Sequence, residues 1–219
     1  MVVLGLTGSI GMGKSEAGRT LRRMGVPVFS ADEEVRRLTG PRGAALPAIA
    51  RAFPGTVTEG RLDRQAVAKL VFDVRKDPER LQLRKLEGIL HPRVQAAERR
   101  FLQAMRAARR SLVALDIPLL FETDARHRVD AVAVVSAPAA IQTARVLRRR
   151  GMDAAKLAAV RANQMPDVEK RRLADYVIRT GASRRDSLAA LKRLVADLRS
   201  RKPAAAPSRR TLRKRIPDA

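Results

Sequence analysis

Residues Gly8-Ser9-Ile10-Gly11-Met12-Gly13-Lys14-Ser15 form an uninterrupted G-x-x-x-x-G-K-[ST] pattern, and nothing else in the chain restricts its fold as tightly. With this chain's own glycine, lysine, serine and threonine content, a chance match has odds of roughly one in four hundred. The context is the one such a loop needs: the apolar run Val2 to Leu6 precedes it and an amphipathic stretch reaches to about Met24. Glycines let the backbone curl so that successive N–H groups point inward at phosphate oxygens. A helix starting near Lys14 adds the positive end of its dipole. In such a loop Lys14 reaches the β- and γ-phosphates and the Ser15 hydroxyl ligates Mg²⁺. The N–H groups of Met12, Gly13 and Glu16 are expected to contribute as well. The pattern therefore predicts a nucleoside triphosphate site at Gly8, Gly11, Met12, Gly13, Lys14, Ser15 and Glu16, with ATP and Mg²⁺ as its ligands.

The rest of the chain is organised to suit that opening. Val26-Pro27-Val28-Phe29 reads as a second strand, and Ser111 to Ile117, Val129 to Val135 and Tyr176 to Arg179 as three more. Near-continuous apolar strands separated by helices indicate a parallel sheet covered on both faces. Between Ala31 and Arg110 the pattern is helical, punctuated by Gly40-Pro41, Pro54-Gly55 and Asp77-Pro78, with one or two long helices from Glu79 to Arg110. Further helices are expected at about 138–150, 153–162, 166–174 and 184–200. The expected fold class is α/β: a P-loop NTPase with a parallel β-sheet flanked by helices, a helical substrate-binding insertion and a small helical lid. The nucleotide-binding core takes 1–39 and 111–200, with the lid at about 142–166. The helical lobe takes 40–110, and 201–219 reads as a basic disordered tail.

Composition removes several alternatives. The chain has 219 residues, 45% of them apolar, and no cysteine. Disulfides, thiolate nucleophiles and cysteine metal sites are thereby excluded. Two histidines are too few for a multi-histidine metal centre. No apolar run approaches the ~18–20 residues of a membrane span, and the N-terminus lacks a signal-peptide layout, so the chain reads as cytoplasmic. The net charge of +24 attracts polyanions, which makes a nucleic-acid-binding ATPase one rival reading. Against it, 37 of the 46 basic residues are arginine in an alanine-rich chain, and only 3% of residues are aromatic. That leaves few platforms for stacking bases, and no specific nucleic acid is expected. An N-K-x-D guanine signature and a D-x-x-G switch are absent, and the chain is short for a helicase or motor. What remains is a small kinase moving phosphate from ATP to a bound metabolite.

Such a reaction needs a base near the acceptor hydroxyl, an acid near Mg²⁺ and cations for the transferring phosphoryl group. Asp32 follows the second strand, near the sheet edge where the loop lies, and suits the first role. Equally, Ser30-Ala31-Asp32-Glu33 has the form of a helix cap. Asp116 ends the SLVALD strand, placed for a magnesium-bound water or as a strand-end turn residue before Pro118. Glu122 is a weaker acid candidate. Arg145 and Arg149 lie four apart on the expected 138–150 helix and share a face there, with Gly151 as its end; they are either a phosphate-covering cluster or a solvated face. His91, before Pro92, is either a substrate contact or a helix-end residue.

In order along the chain, GLTGSIGMGKS, GVPVFSADEEVRRL, LEGILHPRV, LDIPLLFE, IQTARVLRRRGM and NQMPDVEKRRLADYVI resemble the segments of the dephospho-coenzyme A kinase family, from Val2 to about Leu198. The resemblance implies an adenylate-kinase-like core, a helical coenzyme-binding lobe and a lid. It implies ATP- and Mg²⁺-dependent phosphorylation of the ribose 3′-hydroxyl of dephospho-coenzyme A. By position, Asp32 is then the base or orienter, and Lys14, Arg145 and Arg149 contact phosphate. His91, Pro118, Leu119 and Leu120 fall in the substrate segments, and Ser15 with Asp116, the latter through water, serves Mg²⁺. A monomer is the working expectation. Ser30 stands where the family carries the first acid of D-A-D, leaving Asp32 alone. Thr180-Gly181 replaces the usual asparagine before the glycine. A nucleotide kinase, which shares loop and lid but not the ILHP and PLLFE pairing, is the other rival.

Overall fold

A computed structural model of the chain describes residues 1–71 and 80–201. The Asp77-Pro78 break, the helix start at Glu79 and the tail from residue 202 lie outside them. In chain order the described elements are β1 (Val2–Thr7), α1 (Lys14–Arg23), β2 (Val28–Ser30), α2 (Ala31–Leu38), α3 (Leu46–Ala52), β3 (Val57–Thr58), β4 (Arg61–Leu62), α4 (Arg64–Val71) and α5 (Leu81–Ala107). There follow β5 (Leu112–Asp116), a 3₁₀ turn (Ala125–Arg128), β6 (Ala131–Ser136), α6 (Ala139–Leu147), α7 (Ala154–Ala162), α8 (Asp167–Leu173), β7 (Tyr176–Arg179) and α9 (Arg184–Ser200).

Every residue of β1, β5 and β6 is buried. Strands apolar on both faces must be covered on both, which is the parallel-sheet solution. The sheet has five parallel strands in the order β2-β5-β1-β6-β7. Leu4 lies opposite Ala131 and Thr7 opposite Val134, while Ala133 lies opposite Tyr176 and Ser136 opposite Arg179. Carboxylates tie down the strand entries: Asp130 Oδ2 accepts from Val3 N at 2.7 Å, and Asp175 Oδ2 accepts from Val132 N at 2.7 Å.

The chain divides into two compact units. The first comprises Met1–Pro27, Arg110–Ala114 and Leu119 onward; the second comprises Val28–Arg109 and Leu115–Pro118. In the first, Leu21, Val26, Leu191, Leu194, Val195 and Leu198 are buried. In the second, Leu38, Ala45, Ile49, Phe53, Val67, Val71 and Leu90 form one apolar cluster, with Val35 and Val94 packed against it. α2 supplies Leu38 to the same cluster that α5 lines with Leu90, and Val35 packs against it.

Three local features differ from the sequence-based expectation. Between α3 and α4 the chain forms a hairpin, with Val57 opposite Leu62 and Thr58 opposite Arg61. Its two turn residues, Glu59 and Gly60, have φ of 49° and 71°, the left-handed pair that a two-residue hairpin loop requires. α5 is a single helix of 27 residues that runs through Pro92, so His91 lies inside it rather than at its end. α6 ends at Leu147 with Arg148 as its cap, and Arg149 N donates to Val146 O at 2.9 Å. Arg149 thus stands beyond the helix and does not share a helical face with Arg145. Asp153 already caps α7, accepting from Lys156 N at 2.8 Å, so the chain must use 148–152 to turn.

Candidate active site

In the first unit the phosphate-loop sequence forms a tight bend from β1 into α1. Gly13 is the cap of α1, with φ 97° and ψ 13°. A Cβ on Gly13 would lie 3.1 Å from Thr180 Oγ1, and one on Gly11, at φ 77°, would lie 2.6 Å from Val146 Cγ2. Only glycine meets both the left-handed backbone and the close approach. Thr180 props the loop from outside: its hydroxyl donates to Met12 O at 2.5 Å. Arg145 in turn donates to Thr180 O at 2.7 Å and to Thr180 Oγ1 at 3.1 Å. The loop, the α6 arginine and the turn after β7 are thereby brought together. In the sequence Thr180 stands out only as a departure from the family pattern; its role as a prop depends on a contact 168 residues away.

Lys14 and Ser15 open α1, Lys14 half-buried and Ser15 exposed. Two of the expected N–H donors are engaged in the loop's own turns. Met12 N donates to Ser9 O at 3.2 Å, and Glu16 N donates to Gly13 O at 3.1 Å. The Met12 side chain is buried, its sulfur accepting from Ala137 N at 3.1 Å. The Glu16 carboxylate faces outward to Arg19 at 2.8 Å and Arg23 at 3.1 Å. Arg149 is exposed in the turn after α6.

Glu122, the weaker acid candidate, is occupied structurally. Its Oε1 accepts from Met165 N at 2.9 Å and lies 2.8 Å from Lys170 Nζ, whose side chain is 0% exposed. Leu120 is fully buried and packs on Gly5, where a Cβ would come within 2.6 Å of Leu120 Cδ1. Leu119 is 37% exposed.

In the second unit Ser30 caps α2, as the Ser30-Ala31-Asp32-Glu33 pattern indicates. Ser30 Oγ accepts from Glu33 N at 3.4 Å and donates to Asp116 Oδ2 at 3.4 Å. Asp116 is 6% exposed. Asp32 lies one residue into the helix, exposed, with Glu33 and Glu34 completing an acidic first turn that suits the dipole. Ser30 thus holds the buried strand-end carboxylate while Asp32 keeps its exposed place. Glu34 receives the Arg37 fork at 2.6 and 2.8 Å. That hydrogen bond holds its carboxyl below the ordinary value, against the opposing effect of burial. His91 is exposed on α5 and Pro118 is half-buried.

Among the described residues no three histidine, aspartate or glutamate side chains are grouped to hold a metal. A hydroxyl at Ser15 and a carboxylate at Asp116 are hard oxygen donors. Each taken singly is of a kind that Mg²⁺ accepts, since that ion keeps waters and phosphate oxygens and needs few protein ligands. Among the described residues, no helix is long and apolar enough to cross a membrane.

Known proteins resemble the chain over nearly its whole length. The family described as dephospho-CoA kinase matches residues 2–186. A dephospho-CoA kinase of Paramagnetospirillum magneticum is 54% identical over 205 residues, covering 94% of each chain. One of Rhodospirillum rubrum is 52% identical over 193 residues, covering 87% of this chain and 89% of that one. A crystal structure from Thermus thermophilus superposes with TM-score 0.75 at 37% identity, covering 90% of this chain and 97% of that one. The dephospho-CoA kinase of Campylobacter jejuni, at 21% identity and TM-score 0.60 over 90% and 96% of the two chains, shares the fold. With the bent glycine loop at the head of a parallel sheet and this match from Val2 onward, the chain belongs to the dephospho-CoA kinase family.

Proposed function

We propose that this chain transfers the γ-phosphoryl group of ATP to the ribose 3′-hydroxyl of dephospho-CoA, giving CoA and ADP, the last step of CoA synthesis. The reading is carried by the family match over residues 2–186 together with a loop whose glycines Gly11 and Gly13 adopt the left-handed backbone that phosphate wrapping needs. The acceptor oxygen forms a bond to the γ-phosphorus as the bond to the β–γ bridging oxygen breaks; ADP leaves, and the hydroxyl proton passes to the Asp32 carboxylate. Lys14 neutralises the β- and γ-phosphates, and Arg145 and Arg149, from a lid at about 142–166, meet charge on the transferring group. Ser15 and, through water, Asp116 would hold Mg²⁺, and the ion would supply charge neutralisation on the phosphates. His91, in a helical lobe at 40–110, and Pro118, Leu119 and Leu120, in the 1–39 and 111–200 core, belong to the substrate segments. The enzyme is taken to act in the cytoplasm as a monomer.

The test is a coupled assay with purified protein, ATP and Mg²⁺, in which dephospho-CoA competes with AMP, CMP and UMP as acceptor. ADP and CoA are expected. Turnover of a nucleoside monophosphate with none of dephospho-CoA would transfer the assignment to a nucleotide kinase. ATP hydrolysis that requires nucleic acid and weakens steeply with salt would point to the nucleic-acid-binding ATPase.

A further inference from the structure

Ile10 lies in the bend of the phosphate loop, yet both of its backbone polar groups are taken by side chains. Its N–H donates to Gln164 Oε1 at 3.1 Å, and its carbonyl accepts from Gln142 Nε2 at 2.8 Å. The two glutamines come from opposite ends of one segment: Gln142 is in α6, and Gln164 follows α7. Each is itself held from behind. Gln142 is 5% exposed, and its Oε1 accepts from Arg161 Nε at 3.1 Å and Nη2 at 2.6 Å. The guanidinium fixes the amide so that only its NH₂ end can face Ile10. Gln164 N donates to Arg161 O at 3.0 Å, and the next residue, Met165, donates its N–H to Glu122, the partner of buried Lys170. A loop residue with both backbone groups engaged in this way is not a phosphate donor; its place is one of attachment.

We propose that Gln142 and Gln164 are positioning residues for phosphoryl transfer: they fasten both ends of residues 143–163 to Ile10, so that the arginine-bearing segment and the phosphate loop move together. The inference rests on the reading of that segment as the lid of a dephospho-CoA kinase, and its first readout is independent of activity. Amide hydrogen exchange at Ile10 in the nucleotide-free full chain is expected to accelerate at least about tenfold in Gln164→Leu, while the β1 amides keep their protection. Gln164→Glu retains an accepting oxygen and is expected to keep Ile10 protected. The second readout is kinetic. Gln142→Glu preserves the Arg161 pairing but turns an acceptor toward the Ile10 carbonyl. Both Gln142→Glu and Gln164→Leu are expected to lower kcat about tenfold, the scale of one positioning hydrogen bond, with the KM for dephospho-CoA within about twofold of the parent. The double variant is expected to lose no more than the weaker single, since both act through one residue. Unchanged Ile10 exchange in Gln164→Leu, undiminished kcat in both single variants, or fully additive losses in the double would each overturn the proposal. If Gln164→Leu does not fold, exposed Ile10 in folded Gln164→Glu overturns it equally. A parent protein inactive toward dephospho-CoA would sink the functional reading and leave the exchange result standing.

Discussion

Glu122→Gln isolates the charge that faces Lys170. The Lys170 side chain is 0% exposed and its Nζ lies 2.8 Å from Glu122 Oε1, on a side chain 17% exposed. The approach is an ion contact without an aligned hydrogen bond, and Glu122 Oε2 has no hydrogen-bond partner among the described residues. Removing one member of a buried pair costs about 3–5 kcal/mol, because the other charge remains without compensation. Glutamine keeps an oxygen for the Met165 N–H but places an NH₂ where Oε2 has no acceptor, so the loss is set near the lower end, about 3 kcal/mol. For a domain of this size that corresponds to a Tm drop of about 6–12 °C. Against a typical total of about 5–15 kcal/mol, the variant still folds. Urea unfolding should show a lower midpoint at unchanged m, and turnover per folded molecule, measured well below both transitions, should stay near the parent's. Adding Lys170→Met should recover part of the loss, since the pair is then replaced rather than broken. A Tm within about 2 °C of the parent would refute the burial reasoning. A tenfold fall in kcat at unchanged Tm would return Glu122 to the reacting groups.

Lys14→Ala and Asp32→Asn should each reduce turnover by at least about a hundredfold with Tm little changed; proportionate loss of stability in Asp32→Asn would support a helix-start role instead. The chain has one tyrosine and no tryptophan, so tyrosinate absorbance reports Tyr176 alone. Burial, with the hydrogen bond to Asp197 second, pushes its phenol up to about 12 from 10.0. The folded state then holds its proton longer than the unfolded one, so this contribution to stability is complete below the usual value and is lost as pH rises from about 10 toward 12. Asp197→Asn should lower the titration midpoint, and a parent midpoint at 10 would refute the reading. Glu34 is displaced the other way by Arg37: its contribution is complete above its ordinary 4.5 and is lost as pH falls through its depressed folded value. Arg37→Met should therefore flatten the acid limb of a Tm-against-pH curve, and an unchanged limb would show the fork to be inconsequential.

Sequence alone determined the strand, glycine bend and helix of the phosphate loop, the all-apolar strands and most helix positions, because each depends on residues close together in the chain. The period of apolar residues and the backbone freedom of glycine are local properties, and β7 falls at Tyr176–Arg179 as the pattern indicates. Even the hairpin missed at Val57–Leu62 carried a local signal in Glu59-Gly60, hidden because the pair is not the commonest type I′ dipeptide. Tertiary structure alone decided which polar groups meet. Ser30, whose cap on α2 the S-x-x-E pattern already indicates, also reaches Asp116, 86 residues on. Thr180 supports Met12, and two glutamines from opposite ends of one segment converge on Ile10. Such pairings are set by strand order and by the crossovers that return each helix to the sheet, and no local periodicity encodes them.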